Sequence, residues 1–142
     1  MKICFVCLGN ICRSPMAEFI LKDLLKKNNI DNVYVSSLAT CYDEDGNDMY
    51  YLAKSKLDEK GIGYTKRESK RLEKEDYDKY DLFIGMDDNN IRNIIDILGI
   101  DKDKKIRKLL DRDIKDPWYT RDFETAYNDI YEGCLKLLKI FK

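Results

Sequence analysis

The chain has 142 residues, of which 44% are hydrophobic, enough for a single domain over residues 1–142 with a core of its own. Lys and Arg number 26 against 27 Asp and Glu, with the signs interleaved; this leaves no basic stripe for nucleic acid and no polybasic arm for a membrane. No apolar run is long enough to span a bilayer, no signal-peptide pattern opens the chain, and 5 cysteines do not pair into a secreted framework, so the expected compartment is the cytoplasm.

In chain order, Lys2 to Cys7 is a short, continuously apolar run, the pattern of a strand buried on both faces of a parallel sheet. Met16 to Lys27 places Ala17, Ile20, Leu21, Leu24 and Leu25 on one helical stripe. Val33 to Ser37 reads as a second strand, and Asp48 to Lys60 as a helix stopped by Gly61. Asp81 to Gly85 is a third strand, Asn89 to Leu98 a helix ending at Gly99, and Ile106 to Leu110 a fourth strand. The last helix, Phe123 to Phe141, repeats Phe123, Tyr127, Ile130, Tyr131, Cys134, Leu138 and Phe141 along a core-facing stripe. This alternation predicts an α/β fold: a four-stranded parallel, doubly wound sheet with helices on both faces. Such sheets bind ligands beyond the carboxyl ends of their strands, where the loop after the first strand lies.

That loop is Cys7-Leu8-Gly9-Asn10-Ile11-Cys12-Arg13-Ser14-Pro15. A cysteine at a strand end, five residues and an arginine can wrap the backbone into a cradle of inward-facing N–H groups. Gly9 and Asn10 are residue types that tolerate the left-handed or bridge conformations of such a curl. Ser14-Pro15 then opens a helix, where the missing proline N–H costs nothing. Converging amides and a helix N-terminus make an anion site suited to phosphate, and the Arg13 fork can grip two of its oxygens. The same positive field favours the thiolate of Cys7, and Ser14 can donate its hydroxyl proton to that sulfur. Cys12 shares the cradle and so lies within disulfide reach of Cys7. The sequence has no histidine, which excludes a Cys–His pair and leaves carboxylates, Lys, Tyr or Cys as acid or base. Cys4-x-x-Cys7 is a poor metal or redox motif, because residues three apart in a strand face opposite ways; no metal or cofactor is expected.

These residues resemble the signature Cys-x-Gly-Asn-x-Cys-Arg-Ser-Pro of the low-molecular-weight protein tyrosine phosphatases. Cys7 to Pro15 matches it at every fixed position, and Met16-Ala17-Glu18 is also typical. Ser36, Ser37 and Thr40, then Gly61-Ile62, Met86-Asp87 with Asn90, and Asp116-Pro117-Trp118-Tyr119 follow in family order, so the resemblance covers the whole chain. It implies Cys7 as nucleophile, Arg13 as phosphate clamp, Ser14 as thiolate partner, Asn10 as the residue that holds the loop's shape, and Asp116 as general acid. The expected substrate-binding set is Leu8, Gly9, Asn10, Ile11, Cys12 and Ser14, with Tyr42, Trp118 and Tyr119 forming an aromatic slot. Phosphotyrosine proteins or small aryl phosphates are the implied substrates, inorganic phosphate the product and a monomer the implied state.

The chain departs from the family pattern in places. Gly46-Asn47-Asp48 lacks the proline of a Gly-x-Pro-x-Asp segment, and Tyr42 stands near the place of the usual aromatic. Gly61 to Lys66 carries no histidine where relatives commonly have one, so any bracing of the loop by that side chain must come from elsewhere. Protein arginine phosphatases resemble the chain too, but typically carry Thr where it has Ile11. An arsenate reductase would need redox cysteines after the third strand, where Met86-Asp87-Asp88 stand. A silent phosphate-binding module would have no use for Cys7, Arg13 and Asp116 together.

Overall fold

The first apolar run, buried on both faces of the sheet, organises the whole molecule. In the computed structural model, which describes residues 1–142, β1 (Lys2–Cys7) is buried from Ile3 onward. Ile3, Phe5 and Cys7 enter one hydrophobic core, and Cys4 and Val6 enter a second on the opposite face, as the two-residue period of a strand requires. Cys4 and Cys7 therefore face away from each other, in keeping with the reading against a paired-thiol site.

All four strands pair in parallel, in the order β2-β1-β3-β4, with β2 at Tyr34–Ala39, β3 at Leu82–Gly85 and β4 at Ile106–Lys108. Against the larger core pack α1 (Arg13–Lys27) and α5 (Phe123–Phe141), with Ala53 and Leu57 of α2 (Tyr51–Glu59) at its margin. The smaller core holds Ile94 and Leu98 of α3 (Asp88–Leu98) and Tyr77 of a 3₁₀ turn (Lys74–Lys79). Helices thus cover both faces of the four-stranded sheet, as the alternation predicts. The five apolar residues of the α1 stripe are all buried, each worth roughly 1.5–3 kcal/mol for the larger side chains. No helix is long and apolar enough to cross a membrane.

The boundaries differ from the sequence reading where local chemistry intervenes. α1 begins at Arg13 rather than Met16, because Ser14 and Pro15 belong to its first turn, where N–H groups lack helical partners anyway. α2 begins at Tyr51 rather than Asp48. The Asp48 carboxylate is committed to the amides of Met49 (2.7 Å) and Arg67 (3.2 Å), and extended Tyr50 donates its N–H to the Ile11 carbonyl at 2.8 Å. β2 continues to Ala39 in register with Cys7, whereas β4 stops at Lys108. Two short elements escape periodicity altogether: the 3₁₀ turn, closed by a Glu73–Asp76 capping box, and α4 (Pro117–Thr120). At Gly133 an added Cβ would lie 2.3 Å from Leu109 Cγ, so α5 can sit this close to the chain leaving β4 only with glycine there.

Candidate active site

The chain leaving the carboxyl ends of β1, β2 and β4 lines one pocket, beside the β1/β3 position where the strand order reverses. Its floor and near wall are residues 7–13; Cys41, Asp43 and Glu44 come from the chain after β2, and Asp116, Trp118 and Tyr119 from the chain after β4.

The loop has a consistent polarity. Its carbonyls point outward and are held there: Leu8 O accepts the amides of Thr40 (3.1 Å) and Cys41 (3.2 Å), Gly9 O the Ser69 hydroxyl (2.8 Å), and Ile11 O the Tyr50 amide (2.8 Å). The amides of Leu8, Gly9, Asn10, Ile11 and Cys12 donate to no protein acceptor. Five consecutive free N–H groups lining a pocket ahead of a helix N-terminus form a concave anion receptor. The curl turns on Asn10, fully buried with φ 57; of the two candidate residues only Asn10 takes the left-handed conformation.

Cys7 is buried at the base, its sulfur 3.0 Å from Ser14 Oγ and 3.4 Å from the Ser14 amide. Asn10 Nδ2 donates to Ser14 Oγ at 2.7 Å. Arg13 is 2% exposed, and its guanidinium is fixed by Asp87 Oδ2 (2.7 Å), the Ile114 carbonyl (2.7 Å) and Asp116 Oδ2 (3.4 Å). Burial works against its charge, but Cys7, Asp116 and Asp87 outweigh burial and raise the Arg13 pKa. Burial, with Cys7 and Asp116 adding to it, pushes the Cys12 thiol well above the ordinary cysteine range.

Asp116 caps α4: Oδ1 accepts the Trp118 amide at 3.0 Å and Pro117 takes the first helical position. The cap aims the other oxygen of the carboxylate at Arg13. Trp118 and Tyr119, both exposed, form the outer wall. Ile11 lines the pocket and also packs against the larger core.

Tyr42 corrects the expected aromatic slot. Its ring lies under the Arg71 guanidinium at 4.9 Å and its hydroxyl donates to Glu73 Oε1 at 2.9 Å, so it is turned out of the pocket. Cys41, Asp43 and Glu44 stand there instead. Sequence reasoning also missed Arg67. From the extended chain after α2 it donates Nη2 to Asn10 Oδ1, while Ser69 two residues on holds Gly9 O. The missing histidine was the available signal, since it left the loop without a brace next to the basic pair Lys66-Arg67.

Known proteins resemble the chain over almost its whole length. The family profile described as "Low molecular weight phosphotyrosine protein phosphatase" matches residues 2–142. The chain is 34% identical over 146 residues to the low molecular weight protein-tyrosine-phosphatase YfkJ of Bacillus subtilis, spanning 97% of this chain and 94% of that one. The crystal structure of SP-PTP, a low molecular weight protein tyrosine phosphatase from Streptococcus pyogenes, superposes with a TM-score of 0.91 at 37% identity, covering 99% of this chain and 93% of that one. DARP, a Drosophila arginine phosphatase, superposes with a TM-score of 0.89 at 30% identity, covering 100% and 98%. The chain belongs to the low molecular weight phosphotyrosine protein phosphatases, a family of hydrolases.

Proposed function

We propose that the protein hydrolyses phosphotyrosine through a cysteinyl-phosphate intermediate, with Cys7 as nucleophile, Arg13 as phosphate clamp and Asp116 as general acid. The observation that carries this reading is the run of five free amides that follows Cys7 in a pocket also lined by Arg13 and Asp116. The phosphoryl oxygens take the amides and the Arg13 fork, which brings phosphorus over Sγ in line with the ester oxygen. Sγ attacks phosphorus, the P–O bond to tyrosine breaks, and Asp116 passes its proton to the leaving phenolic oxygen. Water then attacks phosphorus, Asp116 takes its proton, the S–P bond breaks and phosphate departs. Ser14, 3.0 Å from Sγ, stabilises the departing thiolate by hydrogen bonding.

The depth of the site, walled by Ile11, Trp118 and Tyr119, suits a long flat aryl ester; phosphoserine is too short to bring its phosphate down to Cys7. Phosphorylated guanidinium is the second reading, because a structural neighbour is named an arginine phosphatase. The apolar Ile11 beside the cradle favours the phenyl ring. We further infer a cytoplasmic, monomeric enzyme, a compartment suited to its five free cysteines. Turnover of p-nitrophenyl phosphate by the purified protein tests the reading. Cys7→Ser should abolish turnover while still binding vanadate; turnover within about tenfold of wild type would exceed what loss of a covalent nucleophile permits.

A further inference from the structure

The chain of hydrogen bonds behind Cys7 has a direction, and its far end sets it. Arg67 meets Asn10 Oδ1, Asn10 Nδ2 lies 2.7 Å from Ser14 Oγ, and Ser14 Oγ lies 3.0 Å from Cys7 Sγ. We propose that Arg67 is a positioning residue that fixes this direction: as a donor-only cation it forces each link to point toward Cys7, so that the chain ends with the Ser14 hydroxyl proton on the sulfur. The proposal rests on the reading of Cys7 as nucleophile.

A guanidinium carries five N–H donors and no acceptor. The Asn10 atom facing it must therefore be Oδ1, which turns the amide nitrogen, also a donor, toward Ser14. That uses a lone pair of Ser14 Oγ and leaves its single proton for Sγ. The sulfur then accepts two hydrogen bonds, from the Ser14 hydroxyl and, at 3.4 Å, from the Ser14 amide. A thiolate satisfies both donors, whereas a thiol adds a proton of its own. Links polarised in one direction also reinforce one another. Without Arg67 the Asn10 amide is free to flip, and Ser14 is then free to accept a proton from the thiol instead.

Arg67 is built into its place. Its amide donates to Asp48 Oδ1 (3.2 Å) and its Nη1 to the Asn47 carbonyl (3.4 Å). The Ser69 amide donates to that same carbonyl at 2.6 Å. Lys66, next in sequence, is exposed. The charged and titratable groups that bear on the network come from several elements. Glu18 of α1 and Asp48 face Arg67; Arg13, Cys12 and Cys41 face Cys7. Burial pulls the Arg67 pKa down while Glu18, Asp48 and Cys7 pull it up, and an arginine stays charged across the working range regardless.

The test is the rate at which iodoacetamide, a neutral reagent, alkylates Cys7. Because the Arg67 charge and Cys7 also act on each other directly, the neutral donor Arg67→Gln separates the two effects. A Gln variant as slow as the Met variant would overturn the directional role. At about pH 6, Arg67→Met should be alkylated about tenfold more slowly than wild type, and the gap should close toward about pH 9, where thiols ionise unaided. Arg67→Lys, which keeps charge and donors, should stay within about threefold of wild type, and Arg67→Gln, a neutral donor, should fall between Lys and Met. Lys66→Met should match wild type. A folded Arg67→Met alkylated as fast as wild type at the lower pH would overturn the proposal, as would a slowing equal at both pH values, the mark of altered access alone. If the Met variant does not fold, a Gln variant indistinguishable from wild type overturns it. Stoichiometric Cys7 alkylation that leaves turnover intact would instead defeat the nucleophile assignment, and is read in the same samples.

Discussion

Asp87 divides its carboxylate between two tasks, and one of them is holding Arg13: Oδ2 accepts Arg13 Nη1 at 2.7 Å while Oδ1 accepts the Asn90 amide at 2.7 Å and caps α3. The guanidinium that is to grip phosphate is thus fixed by the helix that follows β3. One carboxylate both caps a helix and holds the arginine of the pocket.

Asp87→Ala should therefore change both stability and substrate binding. Loss of the cap should lower stability by about 1 kcal/mol, and the loosened guanidinium should raise KM for p-nitrophenyl phosphate by roughly tenfold, given the strength of hydrogen bonds to charged groups. Asp87→Asn retains an acceptor for the cap and should affect KM more than the melting temperature. Steady-state kinetics and thermal melts on both variants check this; an Ala variant with wild-type KM would place the fixing of Arg13 elsewhere, in Ile114 O and Asp116.

Asp116 accepts from the Trp118 amide and from Arg13, and stands at the pocket mouth where a leaving oxygen would lie. Asp116→Asn should lower kcat on phenyl phosphate by roughly 10²–10⁴, the range for one acid–base group. The loss should shrink for esters whose leaving group needs no proton. A series of aryl phosphates of graded leaving-group acidity measures it, and equal losses along the series would make Asp116 a structural cap only.

On the proposed reading, Ile11 sets the choice between ester and phosphoramidate. The wild type should prefer phosphotyrosine peptides strongly over phosphoarginine and phosphoserine peptides, and Ile11→Thr should shift the ratio toward phosphoarginine by adding a hydroxyl that can orient a guanidinium. Competition assays give the ratio of kcat/KM directly. Comparable values for phosphotyrosine and phosphoarginine in the wild type would overturn this specificity.

Cys12 lies in the same pocket as Cys7 and is almost wholly buried. Peroxide should oxidise Cys7 to the sulfenic acid, which the Cys12 sulfur then attacks, expelling water and leaving a disulfide. Because burial raises the Cys12 pKa, its thiolate is scarce at neutral pH, and capture should quicken as pH rises. Mass spectrometry after peroxide treatment should find the 7–12 link; finding only sulfinic or sulfonic Cys7 would reject it.

Much of this was legible in the sequence for physical reasons. Lys2 to Cys7 could only be a strand buried on both faces, and Phe123 to Phe141 only a core-facing helix, so the layers and the place of the loop followed from period alone. The loop's composition carried its chemistry because only Asn10 had to adopt a left-handed backbone, and Asn tolerates it. What stayed hidden lies outside regular structure. No periodicity governs the chain between α2 and the 3₁₀ turn, so nothing local announced that Arg67 turns inward while Lys66 does not. Tyr42 was misdirected for the same reason: a loop side chain goes where its partners are, and those are Arg71 and Glu73, about thirty residues away.

The central claim is that phosphate passes through the sulfur of Cys7. The most direct measurement is a denaturing quench during turnover of p-nitrophenyl phosphate, followed by mass spectrometry of the peptide that contains Cys7 and Cys12. A phosphoryl adduct should appear on Cys7, should be absent from Cys12, and should vanish in the Cys7→Ser protein. Sustained turnover with no adduct on Cys7 at any quench time, or an adduct carried by another residue, would contradict the account.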